Sequence, residues 1–277
     1  LLLYLFFAGV IAICAMVVPG ISGSTLLLIF GLYVPIITSI SEFLHFNFRV
    51  LPILIIFVIE YYNIDINNII GNTTATSETT VSSLEEIPEY SNKSYVIIND
   101  NEPYFKEEEK NTTTFEKYGE LDNLGRCTTA YANIDKSMMP TEKRGSIGGI
   151  KPSGWHTVKY DIVEGKYLYN RCHLIGYQLT GENANEKNLI TCTRSMNTVG
   201  MLEFENKVAK YIKETNNHVL YRVTPIFEGN NLLATGVEME ALSIEDNGKG
   251  IKFNVFVYNI QDGITIDYKT GNSTLNK

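Results

Sequence analysis

Four histidines occur in the chain, at positions 45, 156, 173 and 218. His173 is the one whose neighbours could put an imidazole to chemical use. Arg171, two residues before it, offers a planar fork of donors that suits a phosphate. Asn188, Asn197 and Glu205 follow at intervals. A neutral imidazole, a guanidinium, two carboxamides and a carboxylate form a hard-ligand set. Such a set suits Mg²⁺, which keeps several of its waters and takes few protein ligands. A closed zinc site fits poorly, because Cys172 and His173 are adjacent, Cys192 stands apart and no Cys-x-x-Cys occurs. A Cys172–His173 catalytic dyad fits poorly too, since adjacent side chains seldom face one another. His45 lies in an apolar region, His156 follows Trp155, and His218 opens a strand-like run. Position alone makes these three structural or surface groups.

The elements that must hold these residues can be read from periodicity. Residues 203–215 form an amphipathic helix, with Phe204, Val208, Tyr211 and Ile212 at i, i+4, i+7 and i+8. Asn216-Asn217 supplies its stop. Strand-like runs follow at 218–227, 232–244 and 252–259, the first two joined by the turn signal Glu228-Gly229-Asn230-Asn231. Further short strands are expected at 95–98, closed by Asn99-Asp100-Asn101, and at 131–134. Residues 139–152 are loop-like, with Gly145, Gly148 and Gly149, and 105–118 reads as a solvated, charged loop. Strands, one mid-chain helix and then antiparallel strands indicate an α+β fold.

Taken together, the motifs of this region resemble the DNA/RNA non-specific endonuclease family, the ββα-metal nucleases, and in particular its streptococcal DNA-entry type. Asn170-Arg171-Cys172-His173 stands where the family has Asp-Arg-Gly-His. The stretch 185–191, then 193–197, then Phe204-Glu205-Asn206 keep the family's order and spacing. The resemblance runs over roughly 95–268 and is densest over 125–208. It implies a ββα-metal nuclease fold with a central antiparallel sheet. It also implies a sequence-non-specific endonuclease that depends on Mg²⁺, with Mn²⁺ as a substitute. DNA is the implied substrate, with RNA as a second one, and the products carry 5′-phosphates. In that pattern His173 is the general base, Asn197 the metal ligand, and Glu205 a holder of water in the ion's shell. Asn188 orients the His173 segment, and Arg171 contacts phosphate. Arg194, Arg144 and Lys151 are the further nucleic-acid contacts. Four positions depart from the family pattern. Asn170 removes the motif's carboxylate. Cys172 replaces a glycine and is a candidate to pair with Cys127 outside the cell. Cys192 and Ser195 occupy positions of a glycine and an aromatic in close relatives, a pattern that also fits a decaying gene.

Charge supports a local rather than a general mode of binding. The net charge of -8 excludes a broadly basic, histone-like binder. Binding must then rest on a few clustered cations, and salt should weaken it.

The first sixty residues differ from the rest. Residues 1–18 are an unbroken apolar run, and two more apolar runs follow at 26–40 and 50–59. About 20 such residues can span a bilayer as a helix. No basic n-region or small-residue cleavage site marks a signal peptide. The first residue is Leu1, which suggests a fragment of a longer reading frame. Residues 10–33, with Cys14-Ala15-Met16 and Pro19-Gly20-Ile21-Ser22-Gly23-Ser24, resemble the signature segment of the polyprenyl-phosphate (undecaprenyl-phosphate) translocase family. That family needs a full multi-span bundle, so here the segment is expected to be a fused remnant that acts at most as a membrane anchor, or a gene-boundary artefact. The expected organisation is a hydrophobic membrane region over 1–60, touching the membrane through 1–59. A polar linker over 61–91 and an endonuclease domain over 92–277 follow. The expected location is a bacterial cell membrane with the nuclease domain outside, or the secreted fraction. No residue pattern speaks to the oligomeric state. A nucleic-acid-binding domain without catalysis, and a fragment of a membrane transporter, are the two alternatives.

Overall fold

The structure, a computed structural model, describes residues 79–276. The membrane region over 1–60 and most of the linker lie outside the described residues. Among the described residues, no helix is long and apolar enough to cross a membrane.

The chain runs through β1 (Thr80–Val81), β2 (Tyr95–Ile98), β3 (Phe115–Tyr118), β4 (Ala130–Ile134) and β5 (Tyr169–His173). The short helix α1 (Tyr177–Thr180) and β6 (Leu189–Thr193) follow. A π-helical turn (Met196–Met201) leads without a break into the main helix α2 (Leu202–Thr215). Then come β7 (Val219–Ile226), β8 (Gly236–Ser243), β9 (Lys252–Tyr258), β10 (Ile264–Ile266) and β11 (Ser273–Leu275).

Seven strands form one sheet in the order β1-β2-β9-β8-β7-β4-β3. The sheet is mixed rather than purely antiparallel, because β1 pairs with β2 in parallel at one edge. The other pairings are antiparallel. β5 and β6 make a separate two-stranded hairpin, as do β10 and β11.

Period-two alternation explains how the sheet is covered. On β8, Val237, Met239 and Ala241 share the main core with Phe204, Val208 and Ile212 of α2. The helix ends as its sequence suggests. Asn216 takes a left-handed conformation (φ 58°), and its N–H donates to the Ile212 carbonyl at 2.9 Å. The alternate residues of β8, Glu238 and Glu240, are also buried. Glu240 is held by Arg222, its register partner on β7, through two hydrogen bonds of 2.6 and 2.8 Å. The Tyr104 N–H donates to the same carboxylate at 2.7 Å. Glu238 lacks such a pair, and burial together with the Glu240 charge pushes its carboxyl up to about 7.

Two stretches differ from the sequence expectation. Part of the charged loop at 105–118 is strand β3, because its Phe115 packs beside Phe105 and Tyr131. The end of the expected linker is a strap on the sheet. Val81, Leu84, Ile87 and Tyr90 pack against Val96, Ile98, Phe256 and Tyr258, and the Tyr258 hydroxyl donates to the Pro88 carbonyl at 2.8 Å. A polar tract with apolar residues this sparse reads as a tether, yet each of these few finds a bare patch of sheet. A fragment starting at residue 92 should therefore melt at least roughly 3 °C below one starting at 79, the shift that about 1 kcal/mol produces in a domain of this size. Differential scanning fluorimetry of the two fragments measures this, and equal melting temperatures would deny the strap any stabilising role.

Candidate active site

The site is built on the β5–β6 hairpin. Its register places His173 opposite Leu189, Arg171 opposite Thr191, and Asn170 opposite Cys192. Cys172 and Cys192 are diagonal neighbours in this pairing and form a disulfide, with Cα atoms 5.9 Å apart. The expected Cys127–Cys172 pair is thereby corrected. A disulfide needs Cβ atoms brought face to face, and the hairpin does this for Cys192. Cys127 is a buried free thiol that donates to the Glu186 and Leu189 carbonyls, each at 3.2 Å. Burial pushes that thiol up to about 11. Cys192 is thus a structural partner, not a lesion.

One cleft of about 260 Å³ brings together Arg144, Arg171, His173, Asn197 and Glu205. His173 is only 6% exposed. Its Nε2 lies 2.8 Å from the Asn183 carbonyl oxygen. A carbonyl can only accept, so Nε2 carries the proton and Nδ1 keeps its lone pair. Arg144 Nη2 donates to Nδ1 across 3.4 Å. Burial, reinforced by the Arg144 charge, holds the imidazole below its ordinary value, while the Asn183 hydrogen bond works in the opposite sense. The ring is therefore neutral near pH 7.

Glu205 enters from the first turn of α2. Burial pushes its carboxyl up to about 7, although the Gln178 side chain and Arg144 pull it down. Gly176 makes room for it. A Cβ at that position would lie 2.6 Å from Glu205 Oε2, so a larger residue there would displace the Glu205 carboxylate although the Gly176 φ is an ordinary −59°. Asn197 sits in the π-helical turn, a feature that often marks functional positions. Its Nδ2 donates to Asn170 Oδ1 at 3.1 Å, which leaves its own carbonyl oxygen for the cleft. Arg194 Nη1 donates to the same Asn170 oxygen at 3.5 Å. Asn170 has lost the motif's charge but keeps the acceptor that both residues use.

The remaining expected residues are placed as follows. Asn188 is fully buried and does not reach the cleft. Its Oδ1 accepts from the Ile175 N–H at 2.8 Å, and its Nδ2 donates to the Ile175 carbonyl at 3.0 Å. Its main-chain carbonyl accepts from the Leu174 N–H at 2.9 Å. Asn188 thus pins the chain just beyond His173. Arg171 lies over the Trp155 ring, 3.9 Å from its centroid, and donates to the Ile150 and Gly148 carbonyls. It ties down the glycine-rich loop as well as facing the cleft. Arg194 pairs with Glu164 at 3.3 Å and lines a neighbouring hollow. Lys151 is exposed and lines neither the cleft nor that hollow. Asn183 escaped the sequence reading, since it acts through a backbone carbonyl that any residue could supply.

The donor set fits a hard divalent ion. The Asn197 carbonyl and the Glu205 carboxylate offer hard oxygen donors in one cleft, and Mg²⁺ needs few protein ligands. Among the described residues, no three His, Cys, Asp or Glu side chains converge as a closed metal site.

Comparison with known proteins gives the family and the fold. Residues 107–244 match the model of the DNA/RNA non-specific endonuclease family, and this part of the chain belongs to that family of hydrolases. Residues 1–61 match a second model, described as undecaprenyl phosphate translocase-like. Among individual relatives, NucA from Streptococcus agalactiae in its metal-free form superposes with a TM-score of 0.60 at 28% identity, over 70% of this chain and 92% of that one. NucA with magnesium ion bound gives 0.61 at 27% identity, over 70% and 94%. The domain therefore has the NucA-like nuclease fold. A deoxyribonuclease of Streptococcus dysgalactiae subsp. equisimilis is 29% identical over 196 residues, and the match spans 56% of this chain and 59% of that protein. A polyprenyl-phosphate transporter of Vibrio cholerae serotype O1 is 53% identical over 36 residues, which span 12% of its length.

The cysteine arrangement has a direct check. In a 79–277 fragment, alkylation under denaturing, non-reducing conditions should label Cys127 alone, and reduction should add Cys172 and Cys192. Peptide mass mapping reads the result, and a Cys127-containing disulfide would contradict it.

Proposed function

We propose that the domain is a Mg²⁺-dependent, sequence-non-specific endonuclease that hydrolyses DNA phosphodiester bonds and leaves 5′-phosphates, with RNA as a second substrate. The observation that carries this reading is the convergence of a neutral His173, Asn197, Glu205 and two arginines in one cleft.

His173 Nδ1 would accept the proton of the attacking water. The Nε2–H bond to the Asn183 carbonyl fixes the ring and stabilises the imidazolium that results. Arg144 donates to Nδ1 only at long range in the free protein. An incoming phosphate is a stronger acceptor, so Arg144 would turn to it and leave Nδ1 to the water. Arg171, fixed against Trp155, adds a stationary positive charge beside the phosphate. Asn197 would hold the ion directly and Glu205 through water. A divalent ion held there would supply positive charge to stabilise the charge that develops on the phosphate in the transition state. Asn188 positions His173 by pinning the following residues. Contacts of this kind address the backbone rather than the bases, which accounts for low sequence preference.

The buried disulfide supports an oxidising location, outside the cell or on its surface. The translocase-like similarity of residues 1–61 supports membrane association of the chain, with the nuclease domain on the outer side.

Plasmid DNA incubated with the domain and Mg²⁺ should be cleaved. EDTA should abolish the reaction, and His173→Ala should slow it about 100-fold or more. A folded domain that binds DNA but never cuts it would favour the non-catalytic alternative.

Glu205 adds a pH signature. Its carboxylate must be ionised to hold the ion's water, so activity should rise with pH through about 7 at limiting Mg²⁺. Metal binding displaces the proton, so more Mg²⁺ should move that midpoint to lower pH. Rate profiles at several Mg²⁺ concentrations test this, and Glu205→Gln should remove the Mg²⁺-dependent shift.

A further inference from the structure

A second hollow, of about 440 Å³, opens beside the catalytic cleft. It shares Arg144, Arg171 and Asn197 with that cleft, so the two are continuous. Its far wall is aromatic and takes no part in the chemistry proposed above. Trp155 is partly buried, packed on the cluster around Leu168, Tyr169 and Leu233, with the Arg171 guanidinium over its ring. Tyr167 is 47% exposed, a large area for an aromatic ring on a structured arm. The Lys159 ammonium lies 4.5 Å from its centroid. Tyr167 stands in a short hairpin closed by main-chain hydrogen bonds from Leu168 to Val158 (3.1 Å) and from Tyr160 to Lys166 (2.9 Å). The aromatic wall is therefore held in place rather than on a free loop.

We infer that this hollow receives one unstacked nucleobase of the substrate strand, next to the scissile phosphate, and thereby favours single-stranded over duplex nucleic acid. The inference rests on the nuclease reading and deepens it. The volume falls within the ordinary range of small-ligand sites, about 300–1,000 Å³. Aromatic walls beside arginines are the chemistry that binds a base by its face while holding the flanking phosphates. Two of the polar groups in the walls, Asn170 and Arg171, are engaged with the protein itself. Asn170 Oδ1 accepts from Asn197 and Arg194, and Arg171 donates to Ile150 and Gly148. Stacking on a ring face is tolerant of base identity, as a sequence-non-specific enzyme requires. A base inside a duplex must be unpaired and turned out to enter, a cost that a single strand does not bear.

Trp155 is the single tryptophan of the chain, so its fluorescence reports this hollow alone. The full chain, in mild detergent with EDTA and low salt, is titrated with a short oligothymidylate and with an abasic strand of equal length. The thymidylate should quench Trp155, and the abasic strand should bind about tenfold more weakly or worse. Equal binding of the two strands would overturn the inference. In Mg²⁺, Tyr167→Ala should lower kcat/KM on single strands about tenfold more than on duplex, chiefly through KM. An equal loss on both would assign the hollow to the duplex backbone and overturn the inference as well. If the unmodified chain cuts neither substrate, the nuclease reading fails, while the quenching comparison still decides what the hollow binds.

Discussion

The pairing of β5 with β6 is the constraint on which the site depends. Asn170, Arg171 and His173 come from one strand of this hairpin. Asn188 precedes the other strand, and Arg194 and Asn197 leave its far end. A slip of one residue would turn each side chain of the slipped strand to the opposite face. Three features hold the register. Cys172 and Cys192 are joined across it, Asn188 grips the backbone on both sides of Ile175, and the Arg194 N–H donates to the Leu168 carbonyl at 2.7 Å. Because the π-helical turn follows β6 directly and runs into α2, the hairpin also sets where Glu205 arrives.

Burial then shapes the chemistry. The same desolvation that keeps His173 neutral raises the Glu205 carboxyl, so each group is disfavoured in its charged form. In the proposed reaction a neutral His173 can accept a proton as it stands, and a cation in the cleft would favour the ionised form of Glu205. Around both, arginines 144, 171 and 194 gather on a protein whose net charge is -8. The overall sign of the chain thus says little about the potential at the cleft. Arg171 and Arg194, held by Trp155, Asn170, Glu164 and nearby carbonyls, together with Arg144 beside His173, make the cleft region locally positive.

The sheet gives α2 a rigid floor, and its other face is closed as well. Strand β8 reads as an alternating, half-exposed strand, yet Glu238 and Glu240 are buried beneath the segments that precede β3. Glu240 has Arg222 and a backbone N–H to meet its charge, whereas at Glu238 burial and the Glu240 charge outweigh what Arg222 and the Asn254 side chain offer. Removing Arg222 would leave a buried charge without a partner, which costs about 3–5 kcal/mol in comparable pairs.

Much of this was legible along the chain. The helix at 203–215 announces itself by apolar residues every three or four positions and by the Asn216 stop. The strands at 95–98 and after residue 218 do so by alternation and turn residues. The order Arg171, His173, Asn197, Glu205 was visible as a motif because these residues lie on consecutive elements with short connections. Other features depend on segments far apart meeting in space, and no local pattern encodes such a meeting. Cys172 pairs with Cys192 rather than Cys127 because the hairpin register aligns them. Lys151 falls outside the cleft because Arg171 ties down the loop before it. The strap at 80–90 is ordered because bare sheet lies under its few apolar residues. Periodicity and motif order therefore specified the elements and the order of the candidate groups, while long-range packing alone decided which groups are desolvated, which cysteines meet and which aromatic rings border the cleft.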